Sequence, residues 1–458
     1  MSSAGMNPMM LSAQYSEIPN ELTSSERKKP IPLSVTQVAV ATQSGTAVSG
    51  GQLNFQISSA NGFIKPNSAF IKCRITLTNI GGNAGANAIV AFGNACRNAS
   101  SIIERFTVQS GNQIESINNY GSSYVPTLLL HCSNKSYREG DDVLMEGSFR
   151  GTVGWNAGAG SAMAGPSAAN STSQNAWVDL AAGQALNLNS YIDVCIPLYS
   201  NLFSNEKAYP LCLLAQATNI SLDLATMGKA FYVTEGYTDF SVSQAQLCYE
   251  LLQVNNDYLM ALKGQMAQGM LYSIPFTSVL SSQFAKQGTS TTVSWGIGAS
   301  SMKCITYSCI QNPTTLSDPK YLISDCSVGT QAGNNLRVYV DGKQNSSVTY
   351  DTSASRYISQ QSCFGLNTDV SRSASSGGIL GFGTTNYQVS AYTYDNYFFV
   401  GGQSTSKVSE QMVMTGSQCN QLSVIIETNQ NVGTVILMNC FHDRILVIDA
   451  NGSANIVL

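Results

Sequence analysis

The two histidines are the first residues to consider for chemistry, because imidazole acts as a general base and as a metal ligand near neutral pH. His131 and His442 lie in different halves of the 458-residue chain. A Ser-His-Asp triad or a multi-histidine metal site needs more partners than these two residues provide. His131 follows a run of leucines, which favours a helix cap or a core residue. His442-Asp443-Arg444 interrupts an apolar run, as a bulge or a solvated turn would.

Glu104 and Glu115 form a second candidate, a carboxylate pair of the kind that glycosidases use. No further acidic signature accompanies them, so their expected place is the solvated surface of a sheet. A glycine cluster with some likeness to a phosphate-binding loop occurs at Gly377, Gly378, Gly381 and Gly383. This cluster lacks the preceding strand, the following helix and the Lys-Ser/Thr pair that such a loop needs. The sequence therefore predicts no catalytic, cofactor-binding or metal-binding residue, and no enzyme.

Cysteines are numerous but dispersed, which argues against a metal centre. Most of the twelve sit singly inside apolar strand-like runs, as do Cys73, Cys195, Cys248 and Cys440. They are predicted to be buried free thiols in a reducing compartment, where thiols act as small apolar side chains. Cys304 and Cys309 are five residues apart on a predicted strand and therefore lie on opposite faces, which argues against a shared metal ion.

The stretch 102–132 contains the clearest local structure in the chain. Phe106 and Val108 alternate with polar neighbours, as in a strand with one solvated face. The following Ser-Gly-Asn accepts positive φ and predicts a tight turn into a second strand over 113–118. Ser122 or Ser123 can cap a helix with Pro126 in its first turn. The pattern predicts a β-hairpin followed by a short apolar helix.

A second copy of this hairpin and helix is predicted about half a chain later. Apolar residues alternate over 336–340, Asp341-Gly342 is a strong hairpin turn, and Val348 and Tyr350 belong to the returning strand. A capped helix is expected at 354–364. Almost no residue is identical between the copies, so the repeat is one of pattern. It indicates two similar domains in tandem.

Charge is scarce, and this restricts the classes of partner. Only 11% of residues are charged, against about 25% in ordinary soluble domains. Such a polar but uncharged surface suits a protein that packs against its own copies. The net charge of −4 argues against wrapping nucleic acid, and the basic cluster Arg27-Lys28-Lys29 is interpreted as part of a solvated arm. No stretch approaches the roughly 18 apolar residues of a membrane span, and no secretory signal is predicted.

These patterns together predict an all-β protein of two tandem eight-stranded antiparallel jelly rolls, each with a short helix and a long loop insertion. Residues 1–33 are expected to form an N-terminal arm. The first jelly roll is assigned to 34–256, with its long loop at about 135–185. A linker helix and the second jelly roll are assigned to 257–458, with a long loop at about 367–392. In the second roll, separate strands are expected at 291–295 and 303–310.

Three stretches resemble double jelly-roll major capsid proteins of tailless icosahedral double-stranded DNA viruses, the family of polinton-like viruses, virophages and large nucleocytoplasmic viruses. FTVQSGNQIESINNYG is similar to part of the family's first jelly roll. GGQLNFQISSANGFIKPNSAFIKCRITLT resembles its first strands. TVILMNCFHDRILVIDANGSANIVL resembles its last strand and tail. Together the resemblance extends over nearly the whole chain after the arm.

The resemblance implies a structural protein of the virion, a homotrimer whose six jelly rolls form a pseudo-hexagonal capsomer. The implied partners are neighbouring capsomers, penton proteins and minor or cement capsid proteins. The N-terminal arm is implied to lie near the inner face, where an internal membrane is a candidate contact. Direct sequence-specific binding of nucleic acid is not expected.

Two other functions fit an all-β chain of this size. One is a carbohydrate- or receptor-binding β-sandwich of a viral fibre or spike. Such a protein would carry clustered aromatic residues at a concave site, whereas the 21 tyrosines here are scattered. The other is an enzyme built on paired jelly rolls, which the lack of an acid, base or metal constellation disfavours.

Overall fold

The computed structural model describes residues 32–132, 191–310, 335–347, 401–405, 416–427 and 435–457, with Ser359 and Cys363, apart from short gaps at 59, 61, 80–89, 94–97, 205–206, 234–236, 287 and 289. The arm up to residue 31, both long loops, the glycine cluster at 377–383 and most of the helix expected at 354–364 lie outside these residues. No helix of the described residues is long and apolar enough to cross a bilayer.

The first half of the chain, residues 32–254, is built from antiparallel strands: β1 (Pro32–Ala41), β2 (Ala47–Val48), β3 (Gln52–Ile57), β4 (Gly62–Ile64), β5 (Phe70–Asn79), β6 (Val90–Phe92), β7 (Ile103–Ser110), β8 (Asn112–Asn118), β9 (Tyr191–Pro197), β10 (Thr218–Leu224), β11 (Phe231–Val233) and β12 (Tyr237–Val254). One sheet has the order β1-β12-β5-β9, with β2 and β4 also paired to β12. A second has the order β3-β10-β7-β8, and β6 pairs with β11.

The second half, residues 272–457, forms one antiparallel sheet of eight described strands: β13 (Tyr272–Ala285), β14 (Ser290–Ile310), β15 (Asn335–Val340), β16 (Lys343–Gln344), β17 (Gly401–Ser404), β18 (Ser417–Glu427), β19 (Val435–Ile448) and β20 (Ala454–Val457). The order is β13-β19-β14-β18-β15-β16, with β17 on β14 and β20 on β19. In the first half eight strands have six or more residues and the others two or three. The expected all-β class, built of antiparallel sheets, is confirmed.

The predicted hairpin and helix at 102–132 are confirmed. Phe106 and Val108 are buried in β7, and Gly111 turns the chain at a φ of +71° into β8. A π-turn over Tyr120–Tyr124 then leads into the helix α1 (Val125–Cys132). Asn119 starts this turn in the left-handed region, which asparagine tolerates better than most residues. The turn and helix close one side of the first half.

The second hairpin is confirmed as far as it is described. Asp341 and Gly342 have φ of +47° and +78°, as a type I′ turn requires, between β15 and β16. The Asp341 carboxylate also accepts the backbone N–H groups of Asn420 and Gln421, at 3.0 and 2.8 Å. The returning residues Val348 and Tyr350 lie outside the described residues.

Two strand boundaries differ from the expectation. The strands expected at 291–295 and 303–310 are one strand, β14, whose pairing with β18 shifts register between Gly296 and Met302. Irregular pairing of this kind breaks the strict period of two, so one strand appears as two in the sequence. The strand β1 also begins at Pro32, inside the expected arm. A proline is tolerated there because it is the first residue of a strand at the sheet's edge.

A linker helix joins the halves, as predicted. After α1 and the short α2 (Met227–Ala230), α3 spans Asn256–Ala267. Asn255 caps its N-terminus, and its side-chain oxygen accepts the N–H of Asp257 at 3.1 Å. The helix passes through Gly264 and ends before Gly269, whose φ is +99°. Leu259, Leu262 and Met266 form its buried face, whereas Met260 is 71% exposed.

Replacing Asn255 with alanine is expected to lower the free energy of unfolding by about 1 kcal/mol, because the helix N-terminus loses its side-chain acceptor. Urea unfolding followed by circular dichroism measures the change. Asn256→Ala is the matched control, since Asn256 is an exposed residue inside the first turn. Equal losses in the two variants would contradict the capping role.

The hydrophobic core of the first half continues into the second. One cluster of buried side chains includes Phe106 and Val242 of the first half and Val279, Phe441 and Leu446 of the second. A separate cluster, containing Val424 and Met438, belongs to the second half alone. No described strand of residues 32–254 pairs with one of residues 272–457. The halves are therefore joined by side-chain packing and hydrogen bonds and not by a shared sheet.

Candidate functional site: the seam between the halves

The structure does not bring the two histidines together. His131 lies in α1, and its side chain falls outside the described residues. His442 is buried in β19, where burial lowers the pKa of its imidazole to about 4. It is therefore neutral at physiological pH. The interpretation of residues 442–444 as a solvated turn is wrong, because β19 pairs with β13 without interruption. A bulge is present beside His442, but it lies in the neighbouring strand β14, between Met302 and Cys304.

The two glutamates of the first hairpin have different surroundings. Glu104 forms an ion pair with Lys229, at 2.7 Å between Nζ and Oε1, on the partly solvated side of β7. Glu115 is only 1% exposed, so its expected place on the sheet surface is wrong. Its Oε2 accepts a short hydrogen bond from the hydroxyl of Ser200. The pair is not a glycosidase-like dyad, because its members face different environments.

A β-bulge explains why the sequence misplaced Glu115. The pairing of β7 with β8 shifts register so that Val108 faces Glu115 while the next residue, Gln109, faces Gln113. Ile114 is the extra residue on β8, and from there the inward and outward positions are exchanged. Glu115 consequently shares a face with Val108 and Ile117, which are fully buried.

Burial sets the protonation of Glu115. Loss of solvation raises the pKa of its carboxyl to about 7, against smaller opposing effects of the Ser200 hydrogen bond and the charge of Arg444. Arg444 belongs to β19 of the second half, and burial lowers the pKa of its guanidinium while the charge of Glu115 raises it. The two groups thus interact electrostatically across the contact between the halves.

We call this contact the seam: β8 and residues 119–124 of the first half against β13 and β19 of the second. Asn119 donates from Nδ2 to the Ser281 hydroxyl at 3.2 Å, and Asn439 donates to the Ser123 hydroxyl at 2.9 Å. Both bonds are buried. Tyr124 packs against Phe441 with ring centroids 6.3 Å apart. The seam is therefore partly polar, and its hydrogen bonds fix the relative position of the halves.

Sequence reasoning missed the seam residues. The available signal was Asn439, a polar residue within the apolar run VILMNCF. A polar side chain inside a buried strand must find a hydrogen-bond partner. The sequence could show that Asn439 needs such a partner, but not that Ser123 would be it.

A buried ion pair lies next to the seam in the second half. Asp443 is 1% exposed and approaches the ammonium of Lys303 at 3.0 Å. Ser301 donates to its Oδ2 at 2.8 Å, and the Thr277 hydroxyl lies 3.4 Å from Oδ1. The bulge in β14 lets Lys303 reach over Asp443. These partners compensate the burial of the charge.

The thiols of the described strands are unreactive in character. Cys73, Cys195, Cys248, Cys304 and Cys440 are free. Burial raises the pKa of Cys73 to about 12 and raises that of Cys440 strongly. Such thiols stay protonated at neutral pH and are poor nucleophiles. The side chain of Cys309 is outside the described residues, and within them no three metal-ligating side chains come together.

Comparisons with known proteins give relatives only at the level of structure. No protein-family model and no curated protein sequence matches the chain. The PBCV-1 protein VP54, fitted into a reconstruction of the virophage Sputnik, matches with a TM-score of 0.56 and 11% identity, covering 95% of this chain and 98% of that one. A chain of the Sputnik virophage structure matches with a TM-score of 0.58 and 14% identity, covering 96% and 92%.

The Faustovirus major capsid protein matches with a TM-score of 0.56 and 7% identity, covering 96% of this chain and 97% of that one. The match runs from end to end in each case and includes both halves. The chain has the double jelly-roll fold. The seam joins the sheets of residues 32–254 to the sheet of residues 272–457.

The double jelly roll also leaves apolar groups and one long strand edge exposed. Among the described strands, β1 pairs only with β12, so its other edge is open. Val35 on this strand is 53% exposed. An open edge with few charges is a template for contact with another chain. Further large apolar side chains are exposed at Val48, Tyr191, Met260, Met270, Leu271 and Val457.

Proposed function

We propose that this chain is a structural protein, the major capsid subunit of an icosahedral double-stranded DNA virus, located in the virion. The observation that carries the proposal is the end-to-end structural likeness to the Faustovirus major capsid protein and to the PBCV-1 and Sputnik chains. These matches cover 95–96% of the chain.

The surface supports the same role on physical grounds. A shell subunit is in contact with other copies of itself in the assembled shell, so it does not need strong charge repulsion to stay dispersed. The charged fraction of 11% and the exposed apolar side chains, such as Met260 and Leu271, agree with this. Obligate interfaces commonly bury about 2,000 to 5,000 Å², which requires apolar surface of this kind.

The subunit is proposed to act as a homotrimer, whose six jelly rolls form a pseudo-hexagonal capsomer. Two rolls in one chain let a threefold ring fill sixfold positions. The proposed division is an arm at 1–33, a first roll at 34–256 and a linker helix with the second roll at 257–458. Neighbouring capsomers, penton and minor or cement proteins are the proposed partners, with the arm as the candidate contact to an internal membrane.

The mass of the purified protein in solution tests this proposal. Light scattering coupled to gel filtration is expected to give three times the chain mass of 48.7 kDa. Negative-stain images of the same fraction are expected to show particles with a hexagonal outline. A folded monomer that persists at high concentration would contradict the capsomer. If that monomer bound immobilised glycans, the alternative carbohydrate- or receptor-binding function would replace it.

A further inference from the structure

Two charged groups at the seam have buried polar atoms without a hydrogen-bond partner. Glu115 Oε1 has none among the described residues, and neither has Nε of Arg444. Oδ1 of Asn439, in the same strand as Arg444, is also unbonded. Buried polar atoms of folded proteins are nearly always hydrogen-bonded, so such a concentration in one contact calls for an explanation.

We propose that Glu115 is a proton-operated latch between the two jelly rolls. When the Glu115 carboxyl is protonated, the first hairpin packs against β13 and β19. When the carboxyl loses its proton, the seam loosens and admits water. The inference goes beyond the role in a shell and holds for the isolated subunit.

The geometry provides the reason for a latch at this position. Glu115 lies on β8, which is the last strand of its sheet and packs directly against β13 of the other roll. An ionised carboxylate in that position has one hydrogen bond, from Ser200, and no direct ion pair. Burying such a charge is strongly unfavourable, whereas the neutral acid is tolerated. Water entering the seam would solvate both Glu115 and Arg444.

The other titratable groups on the surrounding elements form ion pairs or hydrogen bonds, or keep one protonation state near neutral pH. On β7, Glu104 pairs with Lys229 and Arg105 with Asp223. On β19, Asp443 pairs with Lys303, and His442 remains neutral above about pH 4. In the loop after β9, Lys207 donates to the carbonyl of Ser273. The tyrosines at the seam and on β13 are Tyr120, Tyr124, Tyr199 and Tyr272, and burial raises the pKa of Tyr272. Arg444 is thus the charge that acts on Glu115.

The sign of the effect follows from the raised pKa of Glu115. The folded protein holds this proton more tightly than the unfolded chain does, so stability is highest below the unfolded value of 4.5. Stability then falls as the pH rises, and the loss is complete above about 7. The unfolding equilibrium constant is expected to increase by a factor on the order of a few hundred over this window from this one group.

Urea unfolding of the full chain between pH 5 and pH 8 tests the latch. The free energy of unfolding of the wild-type protein is expected to fall across this window. In Glu115→Gln this free energy is expected to depend less steeply on pH, because the titrating carboxyl is gone. Glu104→Gln is the matched control from the same hairpin and should retain the wild-type slope. An unchanged slope in Glu115→Gln would overturn the proposal.

A second pair of variants keeps the carboxyl and moves its titration. Arg444→Gln removes the opposing charge, and Ser200→Ala removes the hydrogen bond, so both should shift the midpoint of the stability loss to higher pH. A purely structural role for these residues would lower stability without moving the midpoint. These variants test the latch even if Glu115→Gln fails to fold.

Hydrogen exchange locates the effect at the seam. Peptides covering β8 and β13 should exchange faster above pH 7 than below it, after correction for the intrinsic pH dependence of exchange. Peptides from β18, which lies away from β8, should not change. Equal acceleration in all peptides would indicate global destabilisation and would count against a latch.

Discussion

Gly121→Ala is expected to destabilise the protein by more than about 3 kcal/mol, enough to prevent folding of a marginally stable chain. A Cβ at this position would lie 1.9 Å from the carbonyl oxygen of Ser100 and 2.9 Å from that of Ile103. Both are backbone atoms, so no side chain can rotate away to make room. Gly121 lies in the π-turn between β8 and α1, and its displacement would disturb the seam. Soluble yield and urea unfolding measure the loss.

Gly264→Ala is the matched control for Gly121→Ala. Gly264 lies inside α3, and no atom lies within 4 Å of an added Cβ. Alanine has the higher helix propensity, so this variant is expected to gain about 0.5–1 kcal/mol. If both variants folded with wild-type stability, the close approach of the Gly121 and Ser100 backbones would be refuted.

Asp443→Asn is expected to cost about 3 kcal/mol or more, because it removes the negative charge 3.0 Å from the Lys303 ammonium, which is only 15% exposed. The change retains the shape of the side chain, so the loss reports on charge and not on packing. The midpoint of chemical unfolding, followed by tryptophan fluorescence, gives the measurement.

An exposed ion pair of the same chain is the control for Asp443. Asp193→Asn removes the partner of Arg74 at the sheet surface, where the pair is largely solvated, and should change stability little. Lys303→Met combined with Asp443→Leu removes both buried charges and should recover much of the stability lost in Asp443→Asn. A double variant as unstable as Asp443→Asn would show that the site depends on shape, not charge.

Contacts across the seam join the two halves of the chain. Side chains of both rolls enter one hydrophobic cluster, and buried hydrogen bonds such as that between Asn439 and Ser123 cross between them. The C-terminal strand adds to this contact, since Asn112 on β8 donates to the carbonyl of Ala454 on β20. The two halves are therefore held in one relative position by specific contacts.

Local patterns in the sequence determined the class of fold and much of its detail. Alternating residues such as Phe106 and Val108 predicted strands, and Asp341-Gly342 predicted a turn. These predictions succeeded because side-chain alternation and positive φ depend on residues close together in the chain. The scarcity of charge predicts a surface suited to packing against copies of the chain, and this stays a prediction.

Tertiary structure alone decided which faces are buried and against what. A bulge at Ile114 turned Glu115 inward, and irregular pairing joined two expected strands into β14. Ser123, which accepts from Asn439, and Arg444, whose charge acts on Glu115, each come from the other half of the chain, hundreds of residues away in sequence. Burial of a face depends on which element covers it, and no local period encodes the identity of that element.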